Sequence, residues 1–237
     1  MSKVVLVASG KGGSGTSTFV VNLGIILANT GARVLICDLN IGLRNDDIYL
    51  GLENRVLFDL SDYIGGICSL EKTIIESDIC ENLFLLPSPQ YKTIQGITES
   101  RIALMMGELK KQYDFILIDC PVGIGRTLEI ASSNSDCGLL VTTPDFVCVR
   151  NTDAVSRKMN SFGLKNRFFV INMVTERTMN REPSLDWVSQ NMEIPLAGIL
   201  PYDEEIGDCN NKGTPIVLTG SSYYAKSFIE IAARIVA

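Results

Sequence analysis

Seven short apolar runs punctuate the chain: Val4–Ala8, Arg33–Cys37, Leu83–Leu86, Phe115–Ile118, Gly138–Thr142, Phe168–Asn172 and Ala197–Leu200. Most are apolar at nearly every position. That pattern predicts strands covered on both faces, since a half-exposed strand alternates apolar and polar residues. Between the runs lie stretches with helical periodicity, including Ser17–Asn29, Ser100–Lys111, Thr152–Phe162, Leu185–Met192 and Tyr223–Val236. Strand–helix alternation predicts an α/β fold, with a mostly parallel twisted sheet, helices on both faces and right-handed crossovers. No repeat, low-complexity tract or long linker divides the chain, so one domain over residues 1–237 is expected. Sheets of this kind bind ligands beyond the carboxyl ends of their strands, which is where chemistry should be sought.

Composition narrows that chemistry. Apolar residues make up 46% of the 237 and charged residues 20%, as in soluble globular proteins. The net charge of −6 argues against non-specific nucleic-acid binding, which uses a basic surface. There is no histidine, which removes histidine bases, triads and metal ligands. Seven cysteines without a C-x-x-C pair, several in apolar runs, predict free thiols in a reducing cytoplasm. Met1-Ser2-Lys3 leads straight into the first run, so no signal peptide is expected. No apolar run reaches the roughly 18 residues of a membrane span.

The first run opens into Ser9-Gly10-Lys11-Gly12-Gly13-Ser14-Gly15-Thr16-Ser17-Thr18, followed by a predicted helix. Four glycines between strand and helix let the backbone turn tightly and aim its N–H groups at phosphate oxygens. The helix N-terminus adds free amides and the positive end of a dipole. A P-loop of the form G-x-x-x-x-G-K-[ST] would place its phosphate-binding lysine at residue 16, but Thr16 stands there. Ser17 occupies the position whose hydroxyl ligates Mg2+. A lysine lies earlier, at Lys11, and the spacing K-G-G-x-G resembles the deviant Walker A loop of the MinD/ParA family of P-loop ATPases. In that family the early lysine contacts phosphates across a dimer that sandwiches two nucleotides. The loop is also similar to those of TadZ/CpaE-type pilus-assembly proteins and of BcsQ, which place a threonine or other small residue at this point.

Asp38-Leu-Asn40-Ile-Gly-Leu-Arg-Asn-Asp-Asp47 and the following Leu50-Gly-Leu-Glu-Asn-Arg55 resemble the MinD switch I pattern, D-x-D-x-G-L-R-N-L-D then L-G-L-E-N-R. The resemblance puts Asp38 near the metal's water shell. It puts Asn40 where the family's second aspartate orients the attacking water. An amide can hydrogen-bond a water but cannot take its proton, so Asn40 should slow hydrolysis without necessarily abolishing it. Phe115–Asp119 followed by Cys-Pro-Val-Gly-Ile-Gly125 resembles a Walker B strand and switch II, with Asp119 holding the metal through water. Further matches are Val141-Thr-Thr-Pro-Asp145, Phe169-Val-Ile-Asn172, Gly198-Ile-Leu-Pro201-Tyr-Asp and Asn211-Lys-Gly-Thr-Pro-Ile-Val217. They imply that Asn172 reads the adenine edge and that the loop at Pro201 closes over the base. The resemblance runs from Val4 to about Val236.

The expected site therefore has Lys11, Asp38, Asn40 and Asp119 as catalytic residues. Gly10, Lys11, Gly12, Gly13, Ser14, Gly15, Thr16, Ser17, Thr18, Asn172 and Pro201 bind ATP or ADP, and Ser17, Asp38 and Asp119 bind Mg2+. The implied activity is an ATP-dependent dimer switch with slow or impaired hydrolysis. It would act with an unidentified protein partner in septum-site placement, partitioning or polar assembly. Thr16 and Asn40 motivate an alternative, a nucleotide-binding scaffold that does not hydrolyse. A P-loop kinase or dethiobiotin-synthetase relative is a third reading, disfavoured by the switch I match. MinD proteins carry a basic amphipathic membrane helix. Here Tyr223–Val236 has only Lys226 and Arg234 as cations, so it is expected to pack in the core and not to anchor the chain. Any membrane recruitment would then pass through a partner.

Overall fold

A computed structural model describes residues 2–91, 98–220 and 222–236. Eight strands form one sheet: β1 (Lys3–Ala8), β2 (Val34–Asp38), β3 (Ile75–Glu76), β4 (Leu83–Leu86), β5 (Phe115–Asp119), β6 (Cys137–Thr142), β7 (Arg167–Val174) and β8 (Leu196–Pro201). Their order is β3-β4-β2-β5-β1-β6-β7-β8. All neighbours run parallel except β3, a two-residue antiparallel strand at one edge.

The near-continuous apolar runs are explained by helices on both faces. Along β1, Val4, Leu6 and Ala8 enter one core and Val5 and Val7 the other. In β2, Leu35 and Cys37 divide from Val34 and Ile36 in the same way. The first core is closed by α5 (Glu99–Leu109), α6 (Arg126–Ser133), α7 (Phe146–Ser161) and α9 (Leu185–Asn191). The second is closed chiefly by α1 (Thr16–Ala28) and α11 (Ser222–Val236). Helix α11 buries Tyr224, Phe228, Ile231, Ala232 and Ile235, and Phe228 lies 5.1 Å from Phe19 of α1 between ring centroids. Its apolar stripe is therefore core, as the sequence led us to expect. No helix among the described residues is long and apolar enough to cross a membrane.

Several elements differ from the sequence expectation. Helix α7 starts at Phe146, six residues before Thr152, because the Asp145 carboxylate caps it by accepting the Cys148 N–H at 2.9 Å. Strand β2 starts at Val34. Arg33 is instead held outside it, its guanidinium donating to the Gln112 carbonyl and lying over the Phe84 ring. Short helices α2 (Asp46–Tyr49), α3 (Leu60–Ile64), α4 (Leu70–Thr73), α8 (Glu176–Met179) and α10 (Glu205–Asn211) have no counterpart in the apolar periodicity, and neither does α6.

The sheet order positions the site. Chain connections pass from β1 to one side of the sheet and from β5 to the other, so a crevice opens beyond the carboxyl ends of β2, β5, β1 and β6. Register places Asp38 beside Asp119, and Asp119 also faces Val7 of β1.

Candidate functional site

A cleft of about 780 Å³ lies at that crevice. Its walls are Lys11 to Phe19, the switch residues Asn40, Leu43, Asp119 and Val122, and a third wall of Asn172, Pro201, Tyr202 and Asn210.

The loop conformation is fixed by two close approaches. A Cβ on Gly10 would lie 2.2 Å from the Asn151 carbonyl carbon and the Thr152 nitrogen, so only glycine lets the loop press against α7. The Gly10 N–H donates to Thr152 Oγ1 at 3.2 Å. Gly10 thus seats the loop on α7. Gly15 sits at φ 89°, where a Cβ would also meet the Asn172 amide at 2.5 Å. It opens α1 with no side-chain cap, leaving the first-turn N–H groups free for an anion. Gly12 and Gly13, by contrast, face open space.

Side chains of the loop divide by direction. The Ser17 hydroxyl donates to Asp119 Oδ2 at 2.6 Å, joining the P-loop to the Walker B strand. Ser14 and Thr16 hydroxyls share a hydrogen bond at 3.2 Å. Thr18 turns away, its Oγ1 accepting from Asn210 of α10 at 2.8 Å, so only its backbone remains for the phosphate role expected of it. Lys11 reaches out of the loop to Asp145, 3.0 Å away, with both side chains nearly half exposed. That hydrogen bond raises the Lys11 pKa and lowers the Asp145 pKa.

Asp119 lines the cleft, and two further buried carboxylates adjoin it. Asp38, Asp46 and Asp119 are fully buried, and one carboxylate oxygen from each lies within 4.8 Å of the other two. Asp38 accepts from the backbone of Asn40 at 2.7 Å and of Asn45 at 3.2 Å. The Asn40 amide donates to Asp119 Oδ2 at 2.5 Å. Burial first, then the Asp38 charge, pushes Asp119 up to about 7, against the opposing pull of the Ser17 and Asn40 donors. Burial also raises Asp38, and burial with the charges of Asp119 and Asp38 raises Asp46. Asp119 Oδ1 and both Asp46 oxygens have no hydrogen-bond partner among the described residues. Three buried carboxylates this close together, two of them with unpartnered oxygens, suit a hard divalent cation. The Ser17, Asp38 and Asp119 set expected from sequence is thus brought together, and Asp46 joins it unanticipated. Its only sequence signal is a departure from the switch I pattern, which has leucine there.

On the far wall, Asn172 donates its amide to the Ser14 carbonyl at 2.8 Å, while its Oδ1 is buried without a partner. The latch between β7 and the P-loop takes up amide donor capacity. The free carbonyl oxygen keeps an acceptor for an exocyclic amine. Pro201 ends β8 at the rim, beside Tyr202, whose N–H donates to Val174 at 2.8 Å. The walls contributed by α10 and Tyr49 were not foreseen, since neither stands out from the sequence pattern.

Comparison with known proteins agrees with this arrangement. The family described as an AAA domain matches residues 2–166. The septum site-determining protein MinD of Bacillus subtilis is 33% identical over 239 residues, covering 99% of this chain and 89% of the relative. Among solved structures, MinD in the MinC:MinD cell division protein complex of Aquifex aeolicus superposes with a TM-score of 0.91 at 32% identity, covering 99% of this chain and 96% of the other. MinD of Pyrococcus horikoshii complexed with Mg-ADP gives 0.88 at 29%, with the same two coverages. A P-loop between β1 and α1, Asp38 and Asp119 side by side at two strand ends, and a relative matched over nearly its whole length lead to one assignment: the chain belongs to the MinD family of septum site-determining P-loop ATPases.

Proposed function

We propose that residues 1–237 act as one nucleotide-binding switch. It binds ATP or ADP with Mg2+, pairs as a homodimer in the ATP form, and offers that dimer to a protein partner in the spatial organisation of the cell. The observation that carries this reading is the Ser17–Asp119 contact of 2.6 Å, on the floor of a cleft walled by free P-loop amides. Backbone N–H groups from Gly12 to Ser17 hold the phosphates. Ser17, Asp38 and Asp119 hold Mg2+ directly or through water, and the cation supplies charge neutralisation at the phosphates. Asn172 Oδ1 accepts from the adenine amino group, with the Pro201 loop over the base. Lys11 stands at the rim, where a facing subunit's phosphates would meet it.

Two relatives support the same reading. The P. horikoshii MinD was solved with Mg-ADP, and the A. aeolicus MinD with MinC. Exposed Leu43 and Val122, on loops around the cleft, and Phe146 and Val147, in the first turn of α7, give a facing subunit apolar surface to cover. Cytoplasmic residence, with membrane contact supplied by a partner, belongs to the same proposal.

Calorimetric titration with ADP and ATP, with and without Mg2+, tests the core of it. Binding that tightens with Mg2+ is expected; no heat with any adenine nucleotide would remove the switch reading. Asn40 favours a second reading, a scaffold that binds without turnover, because its amide is committed to Asp119 and cannot accept a proton. Steady turnover by the dimer, lost in Lys11→Ala, would exclude the scaffold.

A further inference from the structure

Switch I of this chain has exchanged one carboxylate for another. The pattern D-x-D-x-G-L-R-N-L-D carries aspartate where Asn40 stands and leucine where Asp46 stands. A carboxylate is lost at one position and gained at a second, six residues on. Helix α2 brings the gained one back under the cleft floor. The Asp46 side chain is wholly buried, and one of its oxygens lies within 4.8 Å of an oxygen of Asp38 and of Asp119. Neither Asp46 oxygen meets a hydrogen-bond donor among the described residues, and Asp119 Oδ1 is in the same condition. The neighbouring Asp47 is different, because Arg44 pairs with it at 2.7 Å. Apolar burial of three adjacent carboxylates is strongly disfavoured without a counter-charge. Arg44, a cation of the same segment, is paired with Asp47.

Hard oxygen donors in this number suit Mg2+ or Mn2+. We propose that Asp46 supplies the third carboxylate of the divalent-cation seat, with Asp38 and Asp119, restoring from α2 the negative charge that Asn40 no longer provides. Asn40 then serves as a donor that orients Asp119 through Oδ2. The inference rests on the reading of the cleft as a metal–nucleotide site, and it is specific to this chain's own pair of substitutions.

The test is Mn2+ binding followed by loss of the free-ion electron paramagnetic resonance signal, with the full chain, both alone and with saturating ADP. Asp46→Asn and Asp46→Leu are compared with wild type. Asp46→Leu restores the apolar residue of the family pattern, which keeps the position packable. Both should weaken Mn2+ binding at least about tenfold, the scale expected for loss of a supporting carboxylate. The double variant Asn40→Asp/Asp46→Leu should recover most of that loss. Folded single variants that hold Mn2+ within about twofold of wild type, in both conditions, would overturn the proposal while leaving the nucleotide reading intact. Wild type that fails to bind ADP yet loses Mn2+ on Asp46 substitution would do the reverse, supporting the cation seat and removing the nucleotide reading.

Discussion

Lys11 and Asp145 form an ion pair of 3.0 Å between the P-loop and the N-cap residue of α7, and the same carboxylate caps that helix. The pair is nearly half exposed, so water screens it and a stronger anion can displace it. Lys11 is therefore held by a contact weak enough for an anion to displace. Asp145→Asn removes the charge and keeps a good capping residue. We expect unchanged thermal stability and tighter ATP-dependent self-association, read by light scattering in apo, ADP and ATP forms. Weaker association in a folded variant would mean that Asp145 helps the dimer and does not restrain Lys11.

Thr16 stands at the position of the usual P-loop lysine, at the first turn of α1 and on the wall of the cleft. Its hydroxyl meets only Ser14 among the described residues. Thr16→Lys should tighten ATP binding, because an ammonium there reaches the β- and γ-phosphates as a point charge. Calorimetry checks this, and equal or weaker affinity in a folded variant would show that residue 16 does not point at phosphate.

Asn172 latches β7 to the P-loop through the Ser14 carbonyl. Removing the amide in Asn172→Ala leaves that carbonyl without its donor, a loss on the order of 1–3 kcal/mol in unfolding free energy. The same change should erode the preference for ATP over GTP, since an amine at the base edge loses its acceptor. Urea unfolding and competitive binding of the two nucleotides measure the two effects; discrimination preserved in full would assign base reading to another group.

Helix α11 offers a direct test of core packing against interfacial binding. Phe228 is 1% exposed and its ring sits 5.1 Å from Phe19 and 5.6 Å from Tyr224. Phe228→Ala should cost about 3–5 kcal/mol in the absence of any lipid. A change below about 1 kcal/mol would show that the helix contributes little to the folded core.

The sheet was legible in the sequence because strands buried on both faces must be apolar throughout, as Val4–Ala8 and Phe115–Ile118 are. The short helices were not, because local caps and tertiary contacts hold them without a periodic stripe. In α3, for example, Asp59 and Asp62 cap one another's backbone. Asp38 and Asp119 stood out since each ends an apolar run, and register then sets them side by side. Asp46 was hidden in Asn45-Asp46-Asp47, a tract that reads as solvated surface, and only the fold shows its carboxylate buried. The approach of α7 that requires glycine at position 10 is likewise visible only in the fold.

Sedimentation velocity with a slowly hydrolysed ATP analogue and Mg2+ measures whether a nucleotide-driven dimer forms and whether it depends on Lys11. Two nucleotides brought face to face concentrate negative charge at one interface, and Thr16 supplies no cation to offset it. Lys11 is the only lysine of the loop, so its loss should penalise association far more than nucleotide binding. Wild type should sediment as a dimer, and Lys11→Ala should bind the analogue yet associate at least about a hundredfold more weakly. Two monomers, or two dimers of equal strength, would remove Lys11 from the dimer interface.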